Sequence, residues 1–444
     1  MPSAECSPAS PASRPAFARR PALGCRTFPH AYPPAVEAPA APLRRNRDYL
    51  LLWTGQAASV LGTRTASVAY PILALALTHS AVDAGLLAFV GRLPWFAFTL
   101  FAGAIADRAD RKMVMLASDV VAAAAMTSVA GALIAGALTL PHLFAASFAE
   151  GTAFIFMHVC QPGALRRIVP AEQVPDAIAR AEAREYGTSL AGPPLGGVLY
   201  GLARSLPFAV NAISYLFSFA SVLLIRTRLV DDDAPAPREP VLREIREGIR
   251  WLWHQPFLRA SLLLVGLVNF FSNGVSFVLV VVVRQHGGSA ALIGTMLAIS
   301  SAGGLLGALA APRLRRLLPR RLVVLSIMWV GAAVSVPLAA VAPHALALGT
   351  IVALVSFIGP TWNAVVDGYR ISIVPDRLQG RVSSVDALLA FSAIPLAPLV
   401  AGVLIEAIGG RATLLAFGAL MLAVAVTGTA SRGLQMPAEA PATN

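Results

Sequence analysis

Three charged residues of this chain lie where charge is costly. Glu150 falls nine residues into the apolar run 141–163, Arg92 at a similar depth in 83–106, and Arg64 near the middle of 50–77. On a helix rising about 1.5 Å per residue, Glu150 is then roughly 14 Å from the nearer end. An ionisable side chain at that depth of a bilayer costs roughly 2.5–3.5 kcal/mol on insertion scales, so each is a functional candidate. A carboxyl group there is pulled two ways: desolvation favours the neutral acid, and a neighbouring arginine favours the carboxylate. Glu150 could therefore carry a proton or bind substrate, or form a structural ion pair with Arg64 or Arg92. His158 follows Glu150 by eight residues, about 80° around the helix, and reads as a polar core group before a proton relay. Asp119 is shallower, about two turns into 113–137, and reads as a conformational latch for the basic loop before it. Asn211, Asn269, Asn273 and Asn363 could line a substrate cavity or hydrogen-bond between helices, and read as the latter first. Asn273 and Trp362 remain cavity candidates, Trp362 by stacking on an aromatic ring, with plain packing as its equal alternative.

Composition says what must position these groups. The chain has 444 residues, 57% hydrophobic and 13% charged, about half the charge of a soluble domain. Its mean hydropathy is +0.69. Spans of about 20 apolar residues are long enough to cross a bilayer. Twelve candidates occur, at 50–77, 83–106, 113–137, 141–163, 187–203, 206–225, 259–283, 289–311, 321–342, 345–369, 384–406 and 411–430. The fifth is the weakest, short and rich in Gly and Pro. The expectation is an all-α membrane protein. With the N-terminus inside, 30 of the 35 Lys and Arg residues fall on the cytoplasmic side, and only Arg204, Arg284 and Arg411 face out. This is the positive-inside bias, and it explains the net charge of +12 without nucleic acid as a partner.

The chain also repeats itself. Ile168-Val169-Pro170 recurs as Ile373-Val374-Pro375, Pro193 as Pro398, and Gly197-Val198-Leu199 as Gly402-Val403-Leu404, all at an offset of 205. Two six-helix units of the same orientation follow. The expected division is a disordered cytoplasmic tail at 1–45, with ten prolines in its first 43 residues and no apolar run, a six-helix bundle at 46–226, a linker at 227–256 with an amphipathic helix, a second bundle at 257–430, and a tail at 431–444. On the linker helix, Ile245, Ile249 and Leu252 are expected against lipid or protein, with Arg243, Arg246 and Arg250 beside headgroups.

The sharpest motif is Gly103-Ala104-Ile105-Ala106-Asp107-Arg108-Ala109-Asp110-Arg111-Lys112, in the loop between the second and third spans. Gly103 would let two helices approach closely. Asp107 would cap a turn or pair with a cation, and Arg108, Arg111 and Lys112 would meet the negative inner leaflet. The motif resembles the signature loop of the major facilitator superfamily. Gly55-Gln56 to Leu61-Gly62, Ala69-Tyr70-Pro71, Thr78-His79-Ser80 and Ala84-Gly85-Leu86 resemble the branch that contains the enterobactin exporter and related efflux proteins. The resemblance covers roughly 46–430. It implies the major facilitator fold, two bundles rocking about a central cavity, and a conformational gate formed by Gly103, Asp107, Arg108 and Arg111; Lys112 and Asp119 are read as part of the same gate from their place beside the loop. The second copy departs from the pattern, with Pro312 where Asp107 stands.

No nucleotide-binding loop, zinc motif or catalytic constellation occurs, so neither an ATP-driven pump nor an enzyme is expected, nor any metal or cofactor. The three cysteines have no metal or disulfide spacing. The reading is a monomeric, secondary active efflux transporter of a bacterial inner membrane, both termini cytoplasmic. Its partners would be protons, lipid and a small amphipathic molecule such as a siderophore, antibiotic or drug. The alternatives are a nutrient importer, which would show more polar groups in its spans, and a non-transporting receptor or assembly factor, which would carry a soluble extension. In a variant freed of its native cysteines, an impermeant thiol reagent applied outside should label a Cys at Ser80 or Ser289 but not at Asp232. Labelling at 232 would reverse the orientation.

Overall fold

The computed structural model describes residues 42–106, 109–230, 241–342, 344–375, 378, 382, 385–386 and 389–431. The helices are α1 (Arg47–Thr78), α2 (Ala81–Ala106), α3 (Arg111–Ile134), α4 (Leu140–Ile168), α5 (Val174–Leu202), α6 (Leu206–Leu223), α7 (Val241–Trp253), α8 (Pro256–Gln285), α9 (Ala290–Leu317), α10 (Arg320–Ala333), α11 (Ser335–Val341), α12 (Ala345–Ile373), α13 (Leu396–Ile408) and α14 (Gly410–Ala430). Eleven segments are long and apolar enough to cross a membrane, α10 and α11 counting as one span and α13 extending back to Leu389. With α5 they make the twelve-helix, all-α architecture expected from the sequence.

Three differences have physical reasons. The fifth span, expected at 187–203, begins at Val174. Asp176, Arg180, Glu182, Arg184 and Glu185 depress its hydropathy, yet it is helical throughout, with Ala177, Arg184, Thr188 and Gly192 on its buried face. Residues 174–186, read as loop, are therefore helix. The ninth span is broken into α10 and α11, because Pro337 cannot donate the bond that would continue the helix from Ala333. The turn Leu43–Arg45 precedes α1 and buries Leu43, so folded structure starts just before residue 46. Residues 1–41 and 432–444 lie outside the described residues, as do 231–240 of the linker. The linker helix itself is present as α7; Leu252 is buried, Ile249, Arg246 and Arg250 are exposed, and the side chains of Arg243 and Ile245 are outside the described set.

Local rules set the helix ends. Asn46 caps α1 by accepting from Tyr49 N (3.0 Å) and ties it to α4 by donating to Ile168 O (2.9 Å). Ser289 caps α9 through Leu292 N. Ser80 Oγ accepts from Asp83 N at the start of α2. Glu406 of α13 joins it there, accepting from Ser80 Oγ (2.7 Å) and Val82 N (3.0 Å).

The helices that close one end of the molecule do so through glycine. A Cβ added at Gly197 of α5 would lie 2.2 Å from Ala290 O of α9, and one at Gly294 of α9 would lie 2.3 Å from Pro193 O of α5. Equivalent contacts join α2 and α13: Gly402 against Ala81 O at 2.4 Å and Gly85 against Pro398 O at 2.4 Å. The repeat offset that carries Pro193 and Gly197 to Pro398 and Gly402 thus pairs matching contacts, an observation independent of the sequence match. Gly402→Val would overpack this contact, at a cost of about 1–3 kcal/mol. It should part α2 from α13, so that a Cys at Ala81, now buried, reacts several-fold faster with a soluble maleimide. An unchanged rate would show that the contact does not hold this end shut.

Candidate functional site

Between the two sets of helices lies a cavity of about 1050 Å³. It runs from Ala84 and Pro398, beside the glycine contacts, to Tyr49, Arg166 and Val174 at the end where the basic residues gather. Its wall is mostly apolar, with Gln56, Arg64, Arg92, Asp119, Glu150, His158, Glu185 and Asn273 among the polar groups.

Glu150 is buried on α4 and, among the described residues, pairs with no arginine. Its carboxylate accepts from Tyr70 OH (2.7 Å) on α1, and from Asn211 Nδ2 (2.7 Å) and Tyr215 OH (2.9 Å) on α6. Thr63 Oγ1 lies 2.9 Å from Tyr215 OH and extends the network. Three neutral donors thus compensate the desolvation of the anion. The ion pair with Arg64 or Arg92 considered from sequence is not formed, and the backbone gives the reason. A Cβ at Gly151 would sit 2.1 Å from Gly91 O, so α2 and α4 touch beside both charges. From that contact Glu150 reaches α1 and α6, while Arg92 reaches α8, where Nη1 is 3.5 Å from Asn273 Oδ1. Arg64 instead pairs with Glu185 of α5 (3.5 Å), which also takes Arg184 (3.3 Å).

The remaining candidates divide. His158 lines the cavity in an aromatic group, 5.3 Å from Trp95 and stacked on Phe154 at 5.8 Å and 17°. Asn273 also lines it. Trp362 does not: it is buried in the second half among Leu258, Val365 and Val366 and borders a smaller pocket of about 270 Å³ with Asn363. Asn211 and Asn269 hydrogen-bond across helices, the latter to Ala390 O (2.9 Å). Asp119 is 1% exposed, and its Oδ2 accepts no hydrogen bond.

In the signature loop, Asp107 and Arg108 lie outside the described residues. A Cβ at Gly103 would meet nothing within 4 Å, so Gly103 does not serve a close approach here. The cap of α3 is Asp110, which accepts from Lys112 N (2.9 Å). Arg111 is buried, not turned to headgroups; a Cβ at Gly163 of α4 would lie 2.6 Å from its Nε. Lys112 Nζ donates to Leu223 O (2.9 Å) and Ile225 O (2.7 Å), closing the C-terminus of α6.

Sequence reasoning missed Tyr70, Tyr215, Arg184, Glu185, Trp95 and Phe154. For Arg184 and Glu185 the signal was available, as Ala177, Arg184 and Thr188 recur at helical spacing. Tyr70 stood in the Ala69-Tyr70-Pro71 motif, but nothing local to either tyrosine pointed to Glu150.

Comparison with known proteins decides the family. The profile of the transmembrane secretion effector family, a branch of the major facilitator superfamily, matches residues 37–443. The chain belongs to this family. It is thus a multi-pass membrane transport protein and not an enzyme. It is 30% identical over 386 residues to the multidrug efflux pump Tap of Mycolicibacterium fortuitum, covering 81% of this chain and 89% of that one. It is 26% identical over 231 residues to macrolide efflux protein A of Streptococcus pyogenes, covering 50% and 55%. Among solved structures, a bacterial homologue of the iron transporter ferroportin in the inward-facing state matches with a TM-score of 0.65 at 15% identity, over 88% of this chain and all of that one. A bacterial homologue of the human lysosomal transporter Spinster matches at 0.67 and 15%, over 88% and 98%. These two share the fold.

The Glu150 network predicts an order of stabilities. Glu150→Ala orphans three buried donors, each costing about 1–3 kcal/mol, and should lower the melting temperature in detergent far more than Glu150→Gln, with Tyr70→Phe and Tyr215→Phe between. A wild-type melting temperature for Glu150→Ala would show that the network holds nothing together.

Proposed function

We propose that the protein is a secondary active exporter that moves a small amphipathic molecule from the cytoplasm by alternating access, driven by inward proton flow. The observation that carries this reading is the large, mostly apolar cavity, closed at one end by glycine contacts and reaching the basic end of the helices. By the positive-inside rule the basic end is cytoplasmic, both termini lie there, and the cavity faces the donor side for export. An apolar wall with few fixed polar groups suits amphipathic cargo better than a sugar, which would need many hydrogen-bond partners. The relatives named as multidrug and macrolide efflux pumps support the direction. A siderophore, antibiotic or drug fits the cavity, and siderophore export would agree with the enterobactin-exporter-like motifs of the first half. An inner-membrane location and a monomer complete the reading.

Proton coupling is assigned to Glu150, a carboxyl group in the cavity wall whose charge is met by no cation. Protonation would remove the negative charge held by Tyr70, Tyr215 and Asn211 and loosen the tie of α4 to α1 and α6. Asp107 and Asp119 are proposed to bias the same conformational change, by about 1–3 kcal/mol. In reconstituted vesicles Glu150→Gln should bind and exchange substrate yet fail to accumulate it when a pH gradient is imposed. Gradient-driven accumulation at the wild-type rate would remove Glu150 from the proton path and leave Asp119 as the acidic candidate. Asp107→Asn should slow transport with insertion intact; normal transport at normal expression would reject the gate.

A further inference from the structure

We infer that the cavity selects amphipathic weak acids, with Arg92 taking the acidic group and the Trp95–His158–Phe154 cluster taking an aromatic ring. This rests on the cavity being the transport site, and it names the chemistry that site prefers. Charge is unevenly matched along the cavity wall. Arg64, Arg92, Arg166 and Arg184 line the cavity, with Glu182 and Glu185 on α5, and Glu185 is the carboxylate paired with Arg64 and Arg184. Among the described residues Arg92 is left with one hydrogen-bond partner, the Asn273 amide oxygen at 3.5 Å, a long and neutral contact. Its side chain is exposed and opens to the cavity. A guanidinium in a mostly apolar wall, with no carboxylate partner among the described residues, is the strongest anion-binding group such a wall can offer, since charge-assisted bonds are about twice as strong as neutral ones.

The two buried acids of the cavity do not offset it for a ligand, and the exposed Glu182 lies farther along α5, about one turn from Glu185 toward the basic end. Glu150 is buried and already accepts three hydrogen bonds, and Asp119 is 1% exposed. Neither is as available to a cation in the cavity as Arg92 is to an anion. The rings stand in the right place. Trp95 is one turn along α2 from Arg92, and Phe154 and His158 are exposed and face the same space. A ring stacked there would direct an attached carboxylate or sulfonate up the helix toward Arg92. The geometry also links binding to movement. Arg92 belongs to α2 and Asn273 to α8, so an anion that takes the guanidinium displaces a contact between the two halves.

The test is binding to the detergent-solubilised protein, read by quenching of tryptophan fluorescence, with three probes that share one ring: 2-naphthoate, 2-naphthamide and (2-naphthyl)trimethylammonium. The wild type should bind the acid at least about tenfold more tightly than the amide or the cation. Arg92→Gln, which keeps a donor for Asn273, should abolish that preference while leaving amide binding within about twofold. Arg92→Lys should keep part of it. A wild type that prefers the cation, that binds no naphthoate at millimolar concentration, or an Arg92→Gln variant that keeps the acid preference would each overturn the assignment. None of these outcomes depends on the direction of transport or on proton coupling, so the export reading stands or falls separately.

Discussion

Two helix backbones can touch only where no Cβ intervenes, and this constraint shapes the molecule. Gly85 and Gly402 let α2 lie against α13, and Gly197 and Gly294 let α5 lie against α9. The contacts cluster near the turns that hold His79 and Gly409. Helices brought together at one end and carrying larger side chains at the other must diverge, and the divergence is the cavity. Small residues are a common means of helix association in lipid, where apolar burial gives no driving force between helices. In a rocking cycle these are the contacts that would have to part, and Glu406, which caps α2 from α13, would part with them.

The electrical character of the cavity follows from which helix carries which charge. Gly91 and Gly151 bring α2 and α4 into contact, and the charges next to them diverge. The acid is taken up by hydroxyls and an amide of its own half. The arginine is left facing the other half. That other half supplies Asn273, Ser276, Phe277 and similar neutral groups to the wall. Its own charges settle elsewhere: Arg370 of α12 pairs with Asp367 (3.0 Å) and with Asp386. The two repeats therefore share a backbone plan and divide the chemistry unequally.

Much of this was legible in the sequence, and the limits are physical. A segment apolar on all sides announces itself, so eleven spans were plain. Hydropathy averages around a helix, and α5 is polar on the face that meets the cavity, so half of it read as loop. The depth of Glu150 was legible because depth is a matter of counting residues. Its partners were not, since Tyr70 precedes it by 80 positions and Tyr215 follows it by 65. Electrostatics alone favoured an arginine; the facing of α2 and α4 decided otherwise. The type of Trp362 allowed either stacking on a substrate or packing, and the structure puts it in the apolar core of the second half with Leu258 and Val366.

The whole chain contains one lysine, Lys112, amid 34 arginines. Its amine is held by two carbonyls at the end of α6, where α3 begins. An acylating reagent aimed at side-chain amines therefore has a single address in this protein. That address is blunted while the amine donates to Leu223 and Ile225, and sharpened whenever α3 and α6 separate. The protein thus carries a built-in chemical reporter on the joint beside its signature loop, needing no engineered residue.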